Sequence, residues 1–290
     1  MSIPIDSECI QCHLRRNLET ARKLGTDDQA TAFARELLKL YLNAPEGVSS
    51  PWLAPATAEL FRKHYGVPED RFREEKEISN RFVLERMEEI RRRVNAAEDP
   101  LLAGLQFAIL GNYIDFSALQ GQVSFEELES LLNRAGEMTP VGDGFEALKA
   151  DLEKGKKLLY LTDNAGEIGF DRIFGEVIHE QFPGLEITFC VRGGPAMNDA
   201  LRADAELVGI PFPVIDNGNR VAGTQIDQLS RDAKQALESA DVIIAKGQGN
   251  IETMYGCGYN VYYAFLVKCS RFVKVFNQPK LTPMLIRERT

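Results

Sequence analysis

The sequence predicts an α/β protein with an N-terminal all-helical domain and a C-terminal domain built on a mainly parallel sheet of about five strands with flanking helices. Two observations carry this prediction. Apolar residues recur at three- and four-residue spacing over the first half, and short apolar runs alternate with helix-like stretches over the second. Gly, Pro and Asp cluster at residues 136–144 between the two patterns. We therefore expect a helical domain at residues 1–140 and an α/β domain at residues 141–290.

The first half of the chain predicts a series of amphipathic helices. Breaks are expected at residues 43–51, 66–68 and 99–100, where Asn, Gly and Pro interrupt the pattern. The stretch SFEELESLL opens with Ser124 and Glu127 in the order of a capping box. The other helical stretches are CIQCHLRRNLETARKLG, DQATAFARELLKLYL, PATAELFRKHYG, the long DRFREEKEISNRFVLERMEEIRRRV, and the more apolar LLAGLQFAILGNYIDF.

Five short apolar runs in the second half predict the strands. They are separated by helix-like stretches, which is the pattern of βαβ units with right-handed crossovers. Such units form a mainly parallel sheet that is covered by helices on both faces. The runs span residues 157–162, 186–192, 212–216, 241–246 and 261–267.

The composition excludes several kinds of partner. The formal net charge of −9 argues against nucleic-acid binding, which depends on Lys and Arg. No apolar run approaches the ~20 residues that cross a bilayer, and the first residues lack the features of a signal peptide. We therefore expect a cytoplasmic protein without a membrane partner. Its five cysteines are odd in number and mostly scattered, which favours reduced thiols. The oligomeric state cannot be read from the sequence.

Polar and glycine residues cluster directly after the predicted strands. Ligands of parallel sheets bind beyond the carboxyl ends of the strands, so these positions form the candidate site. In any single loop, these residues are also explained by helix capping and tight turns. Taken together, the loops favour a common binding site. The candidates are Asp163, Asn164 and Glu167 after the first run, Arg192, Gly193, Gly194 and Asp199 after the second, and Lys246, Gly247, Gln248, Gly249 and Asn250 after the fourth.

Three of these candidates predict a metal site. Asp163, Asn164 and Asp199 supply carboxylate and amide oxygens, the ligands that hard divalent cations prefer. The three histidines of the chain all lie away from the strand ends. The pattern therefore favours magnesium, manganese or a similar ion over a zinc site made of several His or Cys ligands.

Lys246 and the glycine-rich loops predict a phosphate site beside this metal. A lysine at the end of a buried strand requires an anion, and helix N-termini with free N–H groups bind phosphate oxygens. A metal that polarises a phosphoryl group and activates water makes hydrolysis of a phosphate monoester accessible. The sequence therefore favours a small phosphorylated metabolite as the ligand.

Other nucleotide and hydrolase motifs are absent from the sequence. GQGNIE has two glycines but lacks the third glycine of a dinucleotide fingerprint, and it follows a late strand. Neither GxxxxGK[ST] nor GxSxG occurs in the chain.

Three motifs, DNAGEIGFD, RGGPAMNDA and KGQGN, resemble in order and spacing those of the DUF89 family of metal-dependent damage-control phosphatases, the group that includes the ARMT1-like proteins. The N-terminal half, with CIQCHLRR and LLAGLQFAILGNYIDF, is similar to the compact microbial branch. The resemblance implies a helical domain against a Rossmann-like domain, a divalent metal (manganese, nickel, cobalt or magnesium), and hydrolysis of phosphometabolites such as sugar phosphates or damaged phosphorylated cofactors.

The resemblance also implies roles for individual residues. By motif, Asp163, Asn164 and Asp199 ligate the metal and Lys246 binds the phosphate. Glu167 orients a ligand or contacts the substrate, and Asn112 and Asp115 of GNYID are the contribution of the helical domain to the cleft; buried capping is the alternative for these last two. The attacking group, a water activated by the metal or the carboxylate of Asp163, and the substrate stay open. Ala165 stands two positions after Asp163, where a DxD phosphatase has a second acid, and this favours water.

The sequence leaves two other functions as alternatives. A sensor would bind the same phosphometabolite without turnover. A methyltransferase that uses S-adenosylmethionine would need a glycine-rich loop after the first strand, whereas DNAGE has one glycine.

Near the start lies the string Cys9-Ile10-Gln11-Cys12-His13. Two interpretations of its cysteines stay open: partly buried thiols without a chemical function, or a redox or accessory-metal role. Covalent haem is not expected in a cytoplasmic chain, and a complete zinc site would need two more ligands.

Overall fold

The structure, a computed structural model, describes residues 2–114 and 125–288, without the side chains of residues 114 and 125–128. The helical part precedes the first strand. Its helices are α1 (Ser7–Leu24), α2 (Asp27–Asn43), α3 (Ala54–Tyr65), α4 (Arg73–Leu84), α5 (Met87–Asn95), α6 (Pro100–Leu110), α7 (Phe125–Asn133) and α8 (Gly144–Lys154), with 3₁₀ turns at Ser50–Leu53, Gly111–Ile114 and Ala135–Glu137.

The second part alternates strands and helices, as predicted. Its elements are β1 (Lys157–Leu161), α9 (Glu167–Gln181), β2 (Glu186–Val191), α10 (Arg202–Leu207), β3 (Val214–Asp216), a 3₁₀ turn (Ile226–Gln228), α11 (Arg231–Ser239), β4 (Val242–Lys246), α12 (Gly247–Met254), β5 (Val261–Leu266), α13 (Ser270–Phe276) and β6 (Pro283–Arg287). The sheet order is β3-β2-β1-β4-β5-β6. The first five strands pair in parallel, and β6 pairs antiparallel with β5.

The predicted fold class is confirmed, with a sixth strand that the sequence pattern did not reveal. β6 begins with Pro283 and lies at the edge of the sheet, where a residue without an N–H is tolerated. A five-residue segment that starts with proline carries little strand signal, so the pairing with β5 is a tertiary effect.

The long helix expected after residue 70 is interrupted in the structure. α4 ends at Leu84 and α5 begins at Met87. Between them, Arg86 Nη1 donates to the carbonyl oxygen of Phe82 at 3.0 Å and its guanidinium stacks on the Phe82 ring at 3.8 Å. The backbone forms a turn here, in which the N–H of Arg86 donates to the carbonyl oxygen of Val83 at 2.9 Å. The apolar periodicity of the sequence therefore spans two helices.

Hydrophobic clusters cover both faces of the sheet. Tyr160 and Ile244 point to one cluster, and their neighbours Leu161 and Ala245 point to the other. The alternation along β1 and β4 explains why both strands are apolar throughout. The first cluster also contains Leu105 of α6. The helical part therefore shares a core with the sheet, and the boundary near residue 140 stays a prediction. Within the described ranges, no helix has the length and apolar character of a membrane span.

Candidate active site

The three predicted metal ligands meet at the carboxyl ends of β1 and β2. Asn164 and Asp199 form an isolated antiparallel bridge, and the N–H of Ala200 donates to the carbonyl oxygen of Asp163 at 2.8 Å. All three side chains are buried. The backbone therefore brings together residues that lie 35 positions apart in the chain.

Two amide groups hold one oxygen of Asp163. The Nδ2 groups of Asn112 and Asn164 donate to Asp163 Oδ2 at 2.9 and 2.7 Å. The same two groups donate to Glu167 Oε2 at 2.8 and 2.9 Å. Since Oδ2 already accepts two hydrogen bonds, Oδ1 is the oxygen of Asp163 available for a ligand. Asn112, predicted as a cleft residue of the helical half, thus contacts the carboxylates directly.

The surroundings of Asp163 disfavour its ionised form. Burial raises the pKa of this carboxyl well above its ordinary value, and the negative charges of Glu167 and Asp199 raise it further. The charges of Lys268 and Arg192 act in the opposite direction. The net effect is an excess of negative charge, which a bound cation would relieve.

Lys246 lies at the buried end of β4, and its ammonium group contacts two carboxylates of the protein. Its Nζ donates to Glu167 Oε1 at 2.7 Å, to Asp171 Oδ1 at 2.6 Å and to the carbonyl oxygen of Ala108 at 2.7 Å. The side chain is fully buried. Burial lowers the pKa of Lys246, but the two carboxylates outweigh this and raise it overall.

An ammonium group has three N–H donors, and all three are used here. Direct phosphate binding by Lys246 therefore requires the loss of one of these contacts, and that role stays a prediction. In this structure, Lys246 joins α6 to α9 and fixes Glu167, whose other oxygen receives the two amides.

Arg192 provides a cationic group beside the carboxylates. Its Nε donates to Asp199 Oδ2 at 2.6 Å, its Nη2 donates to Asn250 Oδ1 at 3.3 Å, and Nη2 lies 4.0 Å from Asp163 Oδ1. Nη1 is buried, and no side chain or backbone group of the described ranges is its hydrogen-bond partner. An unsatisfied guanidinium N–H at this position suits an oxygen of a bound anion.

The unsatisfied Nη1 leads to a prediction for Arg192→Lys. Lysine keeps the charge but loses the fork geometry, so we expect kcat/KM for a phosphate monoester to fall by about 10- to 100-fold. Steady-state kinetics on purified protein measures this. The matched control is Arg202→Lys, because Arg202 also pairs with an aspartate, Asp216 at 3.2 Å, but is half exposed. Equal activity of the two variants would contradict a role for the guanidinium group.

Gly247 approaches the Asp163 carboxylate too closely for any side chain. Its φ is +75°, and an added Cβ would overlap the carboxyl group. We expect Gly247→Ala to displace Asp163 and to lower kcat/KM by about 100-fold, since a misplacement of about 1 Å can cost that much. Gly258→Ala is the control, because Gly258 has a similar φ of +79° with open space around it. A similar loss in both variants would point to backbone strain alone.

Several of the other predicted substrate-binding residues make hydrogen bonds or packing contacts within the protein. The N–H of Gly193 donates to Asn217 Oδ1 at 2.8 Å. Gly249 packs against the carbonyl oxygen of Ala222. Asn250 Nδ2 donates to the carbonyl oxygens of Thr162 and Lys246 at 3.1 and 2.7 Å, which positions its Oδ1 for Arg192.

Gln248 accepts a hydrogen bond from the N–H of Lys268, and Gly194 packs against the stem of Arg220. Contact of the glycine-loop residues with a substrate stays a prediction. Asp115 and Ser124, also singled out in the sequence, lie outside the described residues.

Three residues of the site were missed in the sequence. Asp171 lies one helical turn after Glu167, and this spacing places both carboxylates on the face of α9 toward Lys246. Lys268 follows β5, at a strand end that the same rule for parallel sheets should have included. Asn80 accepts from the N–H of Gly166 at 2.7 Å and gave no signal in the sequence.

The donor set fits a divalent metal. Asn112 Oδ1 is buried and has no hydrogen-bond partner among the residues that the structure describes, and Asp163, Asn164 and Asp199 carry further oxygens. Over residues 2–114 and 125–288, no three His, Cys, Asp or Glu side chains are grouped as a metal site. A metal at this position would therefore need amide oxygens as well as carboxylates, and the three predicted ligands stay a prediction. Hard oxygen donors of this kind suit magnesium or manganese.

Residues 5–281 match the family model for the damage-control phosphatase ARMT1-like domain. The chain belongs to this phosphatase family. The resemblance found in the sequence motifs is thereby confirmed, and family membership supports a phosphatase role for the chain.

Similar proteins support the same assignment. A damage-control phosphatase of Archaeoglobus fulgidus is 32% identical over 253 residues, which are 85% of each chain. Damage-control phosphatase PH1575 of Pyrococcus horikoshii is 32% identical over 188 residues, or 64% of each chain. The uncharacterized protein MJ0202 of Methanocaldococcus jannaschii is 31% identical over 283 residues, covering 92% of this chain and 90% of that protein.

The fold of this chain also matches a solved structure. The crystal structure of PH1575, described as a DUF89 family protein, superposes with a TM-score of 0.85 at 27% identity. The match covers 99% of both chains.

Proposed function

We propose that the protein is a divalent-metal-dependent phosphatase that hydrolyses small phosphate monoesters, such as sugar phosphates or damaged phosphorylated cofactors. The observation that carries the proposal is the set of groups around the Asp163 carboxylate. Its Oδ2 is held by two amides, its Oδ1 faces Arg192, and the carboxylates of Glu167 and Asp199 surround it. This arrangement needs both a cation and an anionic ligand to be neutralised.

Asp163, Asn164 and Asp199 would hold the metal, with manganese, nickel, cobalt and magnesium as the candidates. A divalent cation bound there supplies Lewis acidity toward a phosphoryl oxygen. Arg192 binds a second phosphoryl oxygen through Nη1. Lys268, whose charge acts on Asp163, takes the role of a phosphate-binding lysine in this proposal, because the three donors of Lys246 are occupied.

Water is the attacking group in this proposal. Ala165, two positions after Asp163, is buried and its N–H donates to the carbonyl oxygen of Asn198 at 2.9 Å. No acid therefore stands where a DxD phosphatase has its second aspartate. Asn112 and Asn164 restrict Asp163 by holding Oδ2, which suits a ligand role better than a nucleophile that must move. Acid quench of the protein during turnover, followed by measurement of the intact mass, should show no phosphorylated form, whereas a phospho-Asp163 intermediate would contradict attack by water.

The central experiment removes metal from the protein and restores manganese, cobalt, nickel or magnesium singly. Phosphate release is then followed with a panel of sugar phosphates and cofactor phosphates. We expect no release from the metal-free protein and release with at least one metal. Release that is insensitive to chelation would refute metal dependence. Tight binding of a phosphometabolite without release would instead favour the sensor alternative.

A further inference from the structure

The first turns of α1 carry two cysteines that the phosphatase chemistry does not use. Cys9 and Cys12 are three positions apart, and residues at this spacing lie on the same face of a helix. Helix geometry places their Cα atoms about 5 Å apart, within the range of about 4.4–6.8 Å found for disulfides. Bond formation therefore requires little movement of the backbone.

The environments of the two thiols differ. Cys12 is exposed, whereas Cys9 is partly buried. Arg271 Nη1 of α13 donates to Cys9 Sγ at 3.3 Å and also lies 3.4 Å from Asp6 Oδ1. Burial raises the pKa of the Cys9 thiol and outweighs the opposite effect of the Arg271 guanidinium group. Cys12 is thus the accessible thiol and Cys9 the protected one.

Tyr41 of α2 contacts the same part of α1, where its hydroxyl forms a hydrogen bond with His13 Nδ1. Burial raises the pKa of the Tyr41 hydroxyl, and the charges of Cys9 and Cys12 raise it further. An accessory metal at this position finds no support within the described part of the chain, where no group of three His, Cys, Asp or Glu side chains forms a metal site.

We propose that Cys9 and Cys12 form a reversible redox-active dithiol that is oxidised by small disulfides such as oxidised glutathione. The Cys12 thiolate attacks one sulfur of the small disulfide, which forms a mixed disulfide and releases one thiol. The Cys9 thiolate then attacks the Cys12 sulfur, which forms the Cys9–Cys12 bond and releases the second thiol. Two protein thiols are oxidised, and one small disulfide is reduced to two thiols.

Oxidation also changes a contact that leads to the active site. The Cys9–Cys12 bond converts the thiol that Arg271 contacts into a disulfide sulfur. Arg271 lies three residues after Lys268 and two after Cys269, whose Sγ accepts from Gln248 Nε2 at 3.6 Å. Gln248 in turn accepts from the N–H of Lys268. Oxidation therefore shifts the segment that carries Lys268, and we expect weaker substrate binding.

The dithiol is tested by mass spectrometry on the full chain. The protein is incubated with oxidised glutathione, quenched with acid and alkylated before the intact mass is measured. We expect the wild type to lose two alkylatable thiols without a glutathione adduct. Cys9→Ser should accumulate one adduct on Cys12, and Cys12→Ser should keep Cys9 reduced. Cys269→Ser, the control, should form the disulfide as the wild type does. A stable adduct on Cys12 of the wild type, or no reaction, would overturn the proposal.

The link to the active site rests on the proposed phosphatase function and has its own measurement. We expect oxidation to raise KM for a phosphate monoester by about threefold or more with kcat unchanged, and a dithiol reductant to reverse this. In Arg271→Gln, oxidation should leave KM unchanged. Oxidised wild type with an unchanged KM would overturn the link. The mass measurement needs no phosphatase activity, so failure of the proposed function would be recognised separately.

Discussion

Replacing Asp163 by asparagine is expected to reduce kcat/KM for a phosphate monoester by about 10³-fold, the upper range for the loss of one electrostatic group in an active site. The amides of Asn112 and Asn164 donate to Oδ2 and will select the oxygen of the new side chain. Its NH₂ group then takes the place of Oδ1, facing Arg192. A donor replaces the ligand oxygen, so we also expect weaker metal binding, measurable by calorimetry with manganese.

The same substitution should leave the fold intact. The raised pKa of Asp163 means that its ionised form is unfavourable in the folded state, and this penalty grows as the pH rises. The metal-free Asp163→Asn protein should therefore have a Tm at pH 7 equal to or above that of the wild type. Asp216→Asn, at the end of β3, is the control and should keep full activity. Full activity and metal affinity of Asp163→Asn would show that this cluster is not the active site.

Replacing Lys246 by methionine is expected to lower the free energy of unfolding by about 3–5 kcal/mol, the usual cost of leaving a buried charge without its partner. The change leaves the carboxylates of Glu167 and Asp171 without a counter-charge, and the carbonyl oxygen of Ala108 without a donor. All three side chains of the ion cluster are fully buried. Urea unfolding followed by circular dichroism measures the loss.

Two further variants test whether the loss of stability comes from the buried ion cluster or from the removal of any lysine. Lys149→Met, on the exposed side of α8, should change stability by less than about 0.5 kcal/mol. The double variant Lys246→Met/Asp171→Asn should be more stable than Lys246→Met alone, because one uncompensated charge is removed. If Lys246→Met cost no more than Lys149→Met, the buried ion cluster would not contribute to stability.

The strand-end positions explain why much of the site could be predicted from sequence. In a parallel sheet, the carboxyl ends of β1, β2 and β4 meet at one edge, so Asp163, Asp199 and Arg192 had to lie near one another once the strands were recognised. The rule is general and needs no side-chain geometry. Applied to β5 as well, it would also have found Lys268.

Other features had no local signal. β6 is short, begins with proline and becomes a strand only through its pairing with β5. The break between α4 and α5 is a short turn within a continuous apolar periodicity. Asn80 reaches Gly166 across 86 positions of the chain. The pairing of β6 and the contact of Asn80 depend on packing between distant segments, and periodicity encodes none of the three features.

The sequence by itself determined the α/β class, the family and the set of chemical groups at the sheet edge, because strand periodicity, crossover geometry and strand-end motifs are local properties. Only the tertiary structure decided how those groups pair. Lys246 contacts Glu167, Asp171 and the Ala108 carbonyl because α6 and α9 pack over the end of β4 and remove the ammonium from solvent. A buried cation must be neutralised by the nearest anions, and their identity is set by packing distances that only the folded chain defines.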